Sequence, residues 1–362
     1  MDFGLSEDQL LLEETLRSFL ADRVPINRVR ELRGGDCPND REIWRSLAEL
    51  GMTGILVPEE HGGSELGLLD ACLAAQALGH AVTPTPFISS AVIAPVALAS
   101  LDHPKVSEWL GGIASGELAF GTAMTETFSI REEAGVVVAK GALNGKAMMA
   151  WDTCGADLIL VAIGMDQLAV IRGDSAGLTK NKLVTTDTTR CTSELIFDNV
   201  PAEAVFQGTE AVTARILEAG RTALAADSLG ACDAMIEQAV AYAKERKQFE
   251  RVIASFQAVK HMCAEMISEL EPARSLVWYA AHSFDAIPDE SPLMSCHALA
   301  HVSEIGREIA SVSTQVHGGI GWTDEHNVHF WFKRVGVARS LLGGPGLLRE
   351  RAARLQGLSA AS

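Results

Sequence analysis

The chain has 362 residues, with 47 acidic side chains against 30 Lys and Arg, and a formal net charge of −17. So acidic a surface repels nucleic acid and anionic membranes alike, and a composition 48% hydrophobic and 21% charged excludes a largely disordered polymer. Length predicts two or three cores rather than one, while 6% aromatic residues and abundant Ala and Leu argue against a base-stacking surface and for helix.

Prolines divide the chain. Seven of the twelve lie at or before Pro104 and the next is Pro201. The first section carries helical period. Ser6 with Gln9, and Asn39 with Glu42, have the spacing of capping boxes. Ile43, Leu47 and Leu50 then mark one helix face, and Gly51 is placed to end it. Val57-Pro58 and His61-Gly62-Gly63 read as turns. From about Glu117 the texture changes to short apolar runs at Val136–Val138, Leu158–Val161 and Leu168–Ile171, with turns predicted at Asn144-Gly145, Gly164 and Gly173-Asp174. These predict a small antiparallel β domain closing near Pro201. Beyond it a long helix runs into Glu245 and Arg246, followed by helices around 254–285, with a kink or break expected at Pro272, and around 293–316. The predicted class is α+β: an N-terminal helical domain over 1–115, a middle antiparallel β domain over 116–205 and a C-terminal four-helix-bundle domain over 206–362.

Cys37, Cys72, Cys154, Cys191, Cys232, Cys263 and Cys296 are odd in number, dispersed and without CxxC spacing, so neither a disulfide framework nor a zinc site is expected. The acidic N-terminal stretch is unlike a signal peptide, and no apolar run reaches the roughly 18 residues that cross a bilayer, which points to a cytoplasmic chain with no membrane partner. Neither GxGxxG after a strand nor a P-loop is present. Gly173-Asp174-Ser175-Ala176-Gly177 spells GxSxG but leads toward strand-like residues, so it reads as a β turn rather than a nucleophile elbow. His326 and His329 beside Glu325 lack further ligands, and no metal is expected.

Three segments are more specific together than apart: Glu245-Arg246-Lys247-Gln248-Phe249, Ser255-Phe256-Gln257, and Gln315-Val316-His317-Gly318-Gly319-Ile320-Gly321-Trp322 with Glu325. They resemble the acyl-CoA dehydrogenase family, and Val57–Gly63, Met124-Thr125-Glu126 and the α, β, α order extend the resemblance along the chain. It implies an FAD-dependent oxidoreductase that removes an α-proton and a β-hydride from an acyl-CoA substrate, with each FAD shared between two chains. By this resemblance Arg246, Phe249, Ile253, Gln257, Gln315, Gly318 and Gly319 reach the adenosine and pyrophosphate of a neighbour's FAD. Charge-assisted Arg donors, amides and a bare Gly-Gly backbone suit those groups.

The half that cradles the chain's own flavin is altered. Thr125 is kept as a cofactor-binding residue, but Thr127-Phe128-Ser129-Ile130-Arg131-Glu132 lacks the family's GSD, and after Lys146 the Trp and Thr positions hold Met148 and Ala150. Trp151 lies nearby at the wrong spacing. Counting from Gln315 puts the family's glutamate base at Leu342, and counting back from Arg246 puts the alternative base at Gly220. Neither accepts a proton. Glu218 sits about 200° round the helix from position 220, and Asp227 on nearly the same face but roughly 10 Å along; these are the candidates for a relocated base. The pattern resembles the base-lacking subunit of bacterial heterotetrameric enzymes of steroid degradation. It implies an α2β2 assembly with a glutamate-bearing paralogous subunit; the alternatives are a homo-oligomeric dehydrogenase using Asp227 or Glu218, or a flavin-free scaffold.

Overall fold

Helices precede and follow one eight-stranded sheet and pack against one of its faces. The computed structural model describes residues 4–33, 35, 37–129 and 132–358. The N-terminal helices are α1 (Glu7–Arg23), α2 (Ile26–Leu32), α3 (Arg41–Glu49), α4 (Leu68–His80), α5 (Ala94–Leu98), which continues a π-helical turn over Ile88–Ile93, and α6 (Val106–Ala114). Strands β1 (Phe120–Ala123), β2 (Gly135–Ala139), β3 (Ala142–Trp151), β4 (Leu158–Ile163), β5 (Gln167–Arg172), β6 (Leu178–Lys182), β7 (Thr192–Pro201) and β8 (Ala204–Gln207) follow. Then come α7 (Glu210–Glu245), a ribbon of β9 (Lys247–Gln248) and β10 (Arg251–Val252), α8 (Gln257–Ala286), α9 (Ser291–His317), α10 (His329–Ala338) and α11 (Pro345–Leu355).

Local chemistry sets most boundaries. Ser6 Oγ accepts from Gln9 N at 3.2 Å and Gln9 Oε1 accepts from Ser6 N at 3.0 Å, so the first capping box closes in both directions. The second start lies one residue beyond the expected Asn39: Asp40 caps α3 by accepting from Glu42 N at 2.8 Å. Ile43 and Leu47 are buried, and Gly51 ends the helix at φ +74°. The break that Pro272 allowed does not occur: α8 runs on through it from Gln257 to Ala286. The ring removes one hydrogen bond, but Met266, Leu270, Ala273, Val277, Ala280 and Phe284 continue one buried stripe past it, and that packing holds the helix together on both sides.

The sheet order is β6-β7-β3-β1-β4-β5-β8, with β2 also on β3. Every pair is antiparallel except β1 with β4, which the chain reaches from the sheet's far side. Gly173–Ala176 is a turn between β5 and β6, as its sequence requires. Asn144-Gly145 is not a turn: it lies inside β3 at a shift in register with β7, where Asn144 Oδ1 accepts from Asn199 N at 2.8 Å and replaces the lost ladder bond. Two cores result. Phe120, Trp151, Leu158, Leu160, Val170 and Phe206 face the helices and join one continuous helical core, while Leu143, Ile159, Val161, Ile171, Leu195 and Phe197 fill the sheet's other side.

Helix α7 is the axis of the molecule, packing on α4, α8, α9 and α10. At α4 the backbones touch: a Cβ on Gly79 would lie 1.9 Å from Asp227 O, and one on Gly230 1.8 Å from Gln76 O. Cys37 and Cys154 are paired in a disulfide across 117 residues, with Cα atoms 5.6 Å apart, tying the segment before α3 to the β3–β4 turn. Their dispersal in sequence gave no sign of this pairing, because the approach is created by the packing of the first helices on the sheet.

A buried ion cluster joins the layers. Asp227 on α7 receives Arg334 of α10 through Nη2 at 2.6 Å and Nε at 3.0 Å, and receives Arg190 Nη2 from the loop before β7. Arg334 Nη1 also donates to Thr83 O at 3.2 Å and Thr189 Oγ1 at 3.1 Å. Burial alone pushes the Asp227 carboxyl up, but the charges and hydrogen bonds of Arg190 and Arg334 outweigh it and hold the group below its ordinary 3.8. Replacing Asp227 by Ala leaves two buried guanidinium groups without a counter-charge, at an expected cost of about 3–5 kcal/mol, read as a lower urea midpoint. In the unaltered protein the contribution of Asp227 is complete above about pH 5. It is lost as pH falls through the depressed folded value, and acid titration of the urea midpoint checks the sign.

Candidate functional site

The two positions reached by counting face one another. Gly220 lies midway along α7 and Leu342 in the loop between α10 and α11, where Leu342 is 2% exposed at φ +53°. A Cβ on Gly220 would lie 2.9 Å from Leu342 Cδ1 and 3.0 Å from Ile93 Cδ1. The π-helical turn carries Ile93 into this gap, and both neighbours are apolar. Arg221 braces the loop, its Nε donating to Leu342 O at 3.0 Å. No proton acceptor stands here among these side chains, and little room exists for one.

Neither alternative carboxylate is free to act. Glu218 is buried and accepts from Arg215 Nη1 at 3.0 Å and Ser291 Oγ at 2.8 Å, on the bundle side of α7. Asp227 is clamped by its two arginines, beside a cavity of only about 10 Å³ lined by Trp151, Asp152, Arg190 and Arg334. A base must both accept a proton and touch the substrate carbon, and Asp227 does neither while Arg190 and Arg334 hold it. Asp152, accepting from Ser89 Oγ at 2.6 Å, is pushed up to about 6 by burial, against the opposing pull of Ser89, Arg190 and Arg334.

The set attributed to a neighbour's FAD gathers at one end of the bundle. Tyr242, one turn before Arg246, packs its ring 4.8 Å from that of His317, which brings the ends of α7 and α9 together. Arg246, Phe249, Gln257, Gln315, Gly318 and Gly319 are all exposed there, and Ile253 is half-buried. Ile253 N donates to Arg246 O at 2.8 Å, closing the ribbon onto the helix end. At its tip Phe249 and Glu250 both take positive φ, +50° and +62°, where Asn or Gly would be usual. The tight turn holds Phe249 85% exposed, its ring edge-on to Phe256 at 6.1 Å. His317 donates from Nδ1 to Ser313 O at 2.7 Å, and the ring of His326 lies 4.2 Å away, tilted by 52°.

The receiving half is remodelled. Thr125 is buried at the head of a short helical turn. Ile130 and Arg131, where the family's GSD would fall, lie outside the described residues. Glu126 Oε2 accepts from Val136 N at 3.1 Å, and burial pushes its carboxyl up against that bond. Lys146 pairs with Glu194 at 3.1 Å. Met148 and Met149 occupy an irregularity between Ala147 and Ala150 of β3, with Met149 at φ +52°. Trp151 is buried in the helical core, so its indole does not replace the missing one. The exposed Arg, Gln and Gly-Gly backbone of the bundle end fit the phosphates and adenosine of FAD, whereas this strand offers neither a stacking indole nor a hydroxyl.

Comparison with known proteins decides the family. Residues 6–117 match the model of the acyl-CoA dehydrogenase N-terminal domain and residues 207–355 that of its C-terminal domain. The chain belongs to the acyl-CoA dehydrogenase family. That family comprises FAD-dependent oxidoreductases acting on acyl-CoA, and FAD is the cofactor. Among relatives, acyl-CoA dehydrogenase IpdE2 of Mycolicibacterium smegmatis is 30% identical over 354 residues, 97% of this chain and 99% of that one. Similar solved structures include the Tcur3481-Tcur3483 steroid ACAD G363A variant, at 28% identity and TM-score 0.88 over 98% of this chain and 99% of that one. The ChsE4-ChsE5 complex of Mycobacterium tuberculosis matches at 25% identity and TM-score 0.90 over 100% of each chain. The likeness is therefore to steroid-type members of the family.

Ile93, Arg190 and Arg334 are site residues that spacing alone did not single out, since each acts through contacts made only in the folded chain. If Gly220, Leu342 and Ile93 share one tight apolar contact, Gly220→Ala should cost about 1–3 kcal/mol by overpacking. Adding Leu342→Ala should recover most of that loss, and the coupling is read from a double-mutant cycle of urea unfolding.

Proposed function

We propose that this acyl-CoA dehydrogenase chain is the base-lacking subunit of an α2β2 heterotetramer, which completes the FAD site of a glutamate-bearing paralogous partner and takes no proton itself. The observation that carries this reading is the meeting of Leu342, Ile93 and Gly220 where a carboxylate would stand. The exposed platform of Arg246, Phe249, Gln257, Gln315, Gly318 and Gly319 supports it from the other side. One half of the site is presented outward and the other has lost its acid.

When bound, FAD supplies the hydride acceptor. The chain's own contribution is to hold the cofactor's phosphates by Arg246 and to bring the backbone of Gly318 and Gly319 close enough to donate to it. The partner's carboxylate would then take the α-proton from an acyl-CoA, which the relatives point to as a steroid-derived one. A cytoplasmic setting accords with the absence, among the described residues, of any helix long and apolar enough to cross a membrane.

Co-expression with a glutamate-bearing paralogue should yield a mixed tetramer with one FAD per two chains, while this chain alone retains little flavin. Within that complex, Arg246→Ala should weaken flavin retention by at least about tenfold, the loss of one charge-assisted contact. Full flavin occupancy and substrate-driven bleaching by the isolated chain would falsify the proposal. Unchanged flavin in every Arg246→Ala complex would instead favour the flavin-free scaffold.

A further inference from the structure

The one covalent cross-link among the described residues joins two layers that the chain visits far apart. Cys37 precedes α3 and Cys154 lies in the β3–β4 turn, with Cα atoms 5.6 Å apart, inside the range of a disulfide. Cys72, Cys191, Cys232, Cys263 and Cys296 remain thiols. Five thiols beside a single bridge are unlike the disulfide scaffold of an oxidising compartment, and a bridge in a reducing one is transient and serves redox exchange. The surroundings of this bridge fit the second case.

Both cysteines are half-buried, and the nearby Gly35 and Gly155 are exposed, so a reductant can approach. Three cations converge on the two strands of the cross-link: Lys182 Nζ donates to Gly35 O at 3.0 Å, Lys180 Nζ to Thr153 O at 2.9 Å and Arg41 Nη2 to Gly155 O at 3.1 Å. The neighbouring carboxylates are engaged: Asp157 pairs with Arg41, Asp40 accepts from Arg28 Nη2 at 2.5 Å, and Asp152 accepts from Ser89 Oγ at 2.6 Å. Electropositive, partly exposed surroundings favour the thiolate. Lys180 and Arg41 bond to the residues on either side of Cys154, which makes that sulfur the better leaving group. Once Cys37 is a thiol, Asn39 O stands 3.8 Å from its Sγ as an acceptor. Cys191 lies close, its Sγ accepting from the backbone N–H of Cys154, but it is 1% exposed and burial pushes its thiol up, so it does not compete. Nor does the segment depend on the bridge alone, since Arg41, Lys182 and Trp44, whose Nε1 donates to Leu118 O at 3.2 Å, tie it down as well.

We infer that Cys37 and Cys154 form a thiol–disulfide exchange site, a redox-controlled fastening between the N-terminal helices and the sheet that a dithiol reductant opens in the folded chain. One thiolate of the dithiol attacks Cys37 Sγ, the S–S bond breaks and Cys154 leaves as a thiolate. The second thiol of the reductant then attacks the reductant's own sulfur in the mixed disulfide and releases Cys37. Two electrons and two protons pass to the chain, and the dithiol ends as a disulfide. The effect is local: residues 37–40 and the start of α3 are released from the β3–β4 turn, while the remaining bonds of α3 keep the fold. The site is independent of whether the bundle end serves a partner's FAD, because none of its residues belongs to that platform.

The test begins with the full-length chain purified without reductant, its thiols blocked by N-ethylmaleimide in denaturant and its peptides mapped by mass spectrometry. A cross-link between Cys37 and Cys154 is expected, with the other five cysteines alkylated. Dithiothreitol or a thioredoxin-type dithiol protein, added to the native chain, should make Cys37 and Cys154 alkylatable without loss of far-ultraviolet circular dichroism, and oxidised dithiothreitol should restore the bond. Hydrogen exchange should rise across 37–44 and 152–157 in the reduced chain and in Cys37→Ser alike. Lys180→Gln, which removes a cation from beside Cys154, should slow opening about threefold for each unit by which the leaving thiol's pKa rises; an unchanged rate overturns the assignment of Cys154 as the leaving sulfur. The proposal as a whole is overturned if both cysteines stay alkylatable after oxidised dithiothreitol, if the bond opens only in urea that unfolds the chain, or if reduction leaves hydrogen exchange in both segments unchanged. These outcomes are read on the parent chain and do not require that Cys37→Ser fold. Flavin stoichiometry enters none of them, so failure here and failure of the shared-FAD reading remain distinguishable.

Discussion

Asp227 between Arg334 and Arg190 is the constraint on which the rest of the molecule depends. Its three side chains come from the axial helix, from the helix preceding the Leu342 loop and from the loop that enters β7, and Arg334 reaches Thr83 O in the N-terminal layer as well. Few interactions in the chain touch all three layers at once. An ion cluster of this kind contributes less net energy than its geometry implies, since desolvation offsets most of the attraction. Its effect is on register: α10 can slide along α7 only by leaving charges unpaired, and the position of α10 sets where Leu342 falls.

That dependence explains why the altered site is so sharply shaped. Gly220 is fixed by α7, Ile93 by the π-helical turn above it, and Leu342 by a loop braced through Arg221. Three elements from distant parts of the sequence meet at one apolar contact with no space left over. A site that had merely lost its glutamate would leave a hole; this one is filled.

Much of this was legible in the sequence where the signal is local. The Ser6–Gln9 box, the Gly51 helix end, the long helix into Glu245 and the class of the fold all follow from residue spacing and capping chemistry. That positions 220 and 342 hold no acid was legible by counting from the motifs; that the two meet was not. What escaped was set by distance. Pro272 reads as a breaker only if its neighbours are ignored, and Asn144-Gly145 reads as a turn until Asn199 is brought alongside. Cys37 with Cys154, Ile93 with Leu342, and Asp227 with Arg334 are products of packing across more than a hundred residues, and no periodicity announces them.

The ribbon tip carries one more consequence. Phe249 is 85% exposed on a turn whose backbone disfavours its own residues, and Trp322 is 75% exposed on the loop that follows α9. Large aromatic rings held open to water at one end of a bundle lower the solubility of any copy that remains uncovered. Synthesis of this chain in excess of whatever covers that end would therefore favour self-association and clearance by proteolysis. In the proposed heterotetramer the tip would thus act on abundance as well as on contact, making the number of surviving copies depend on the supply of the partner that hides it.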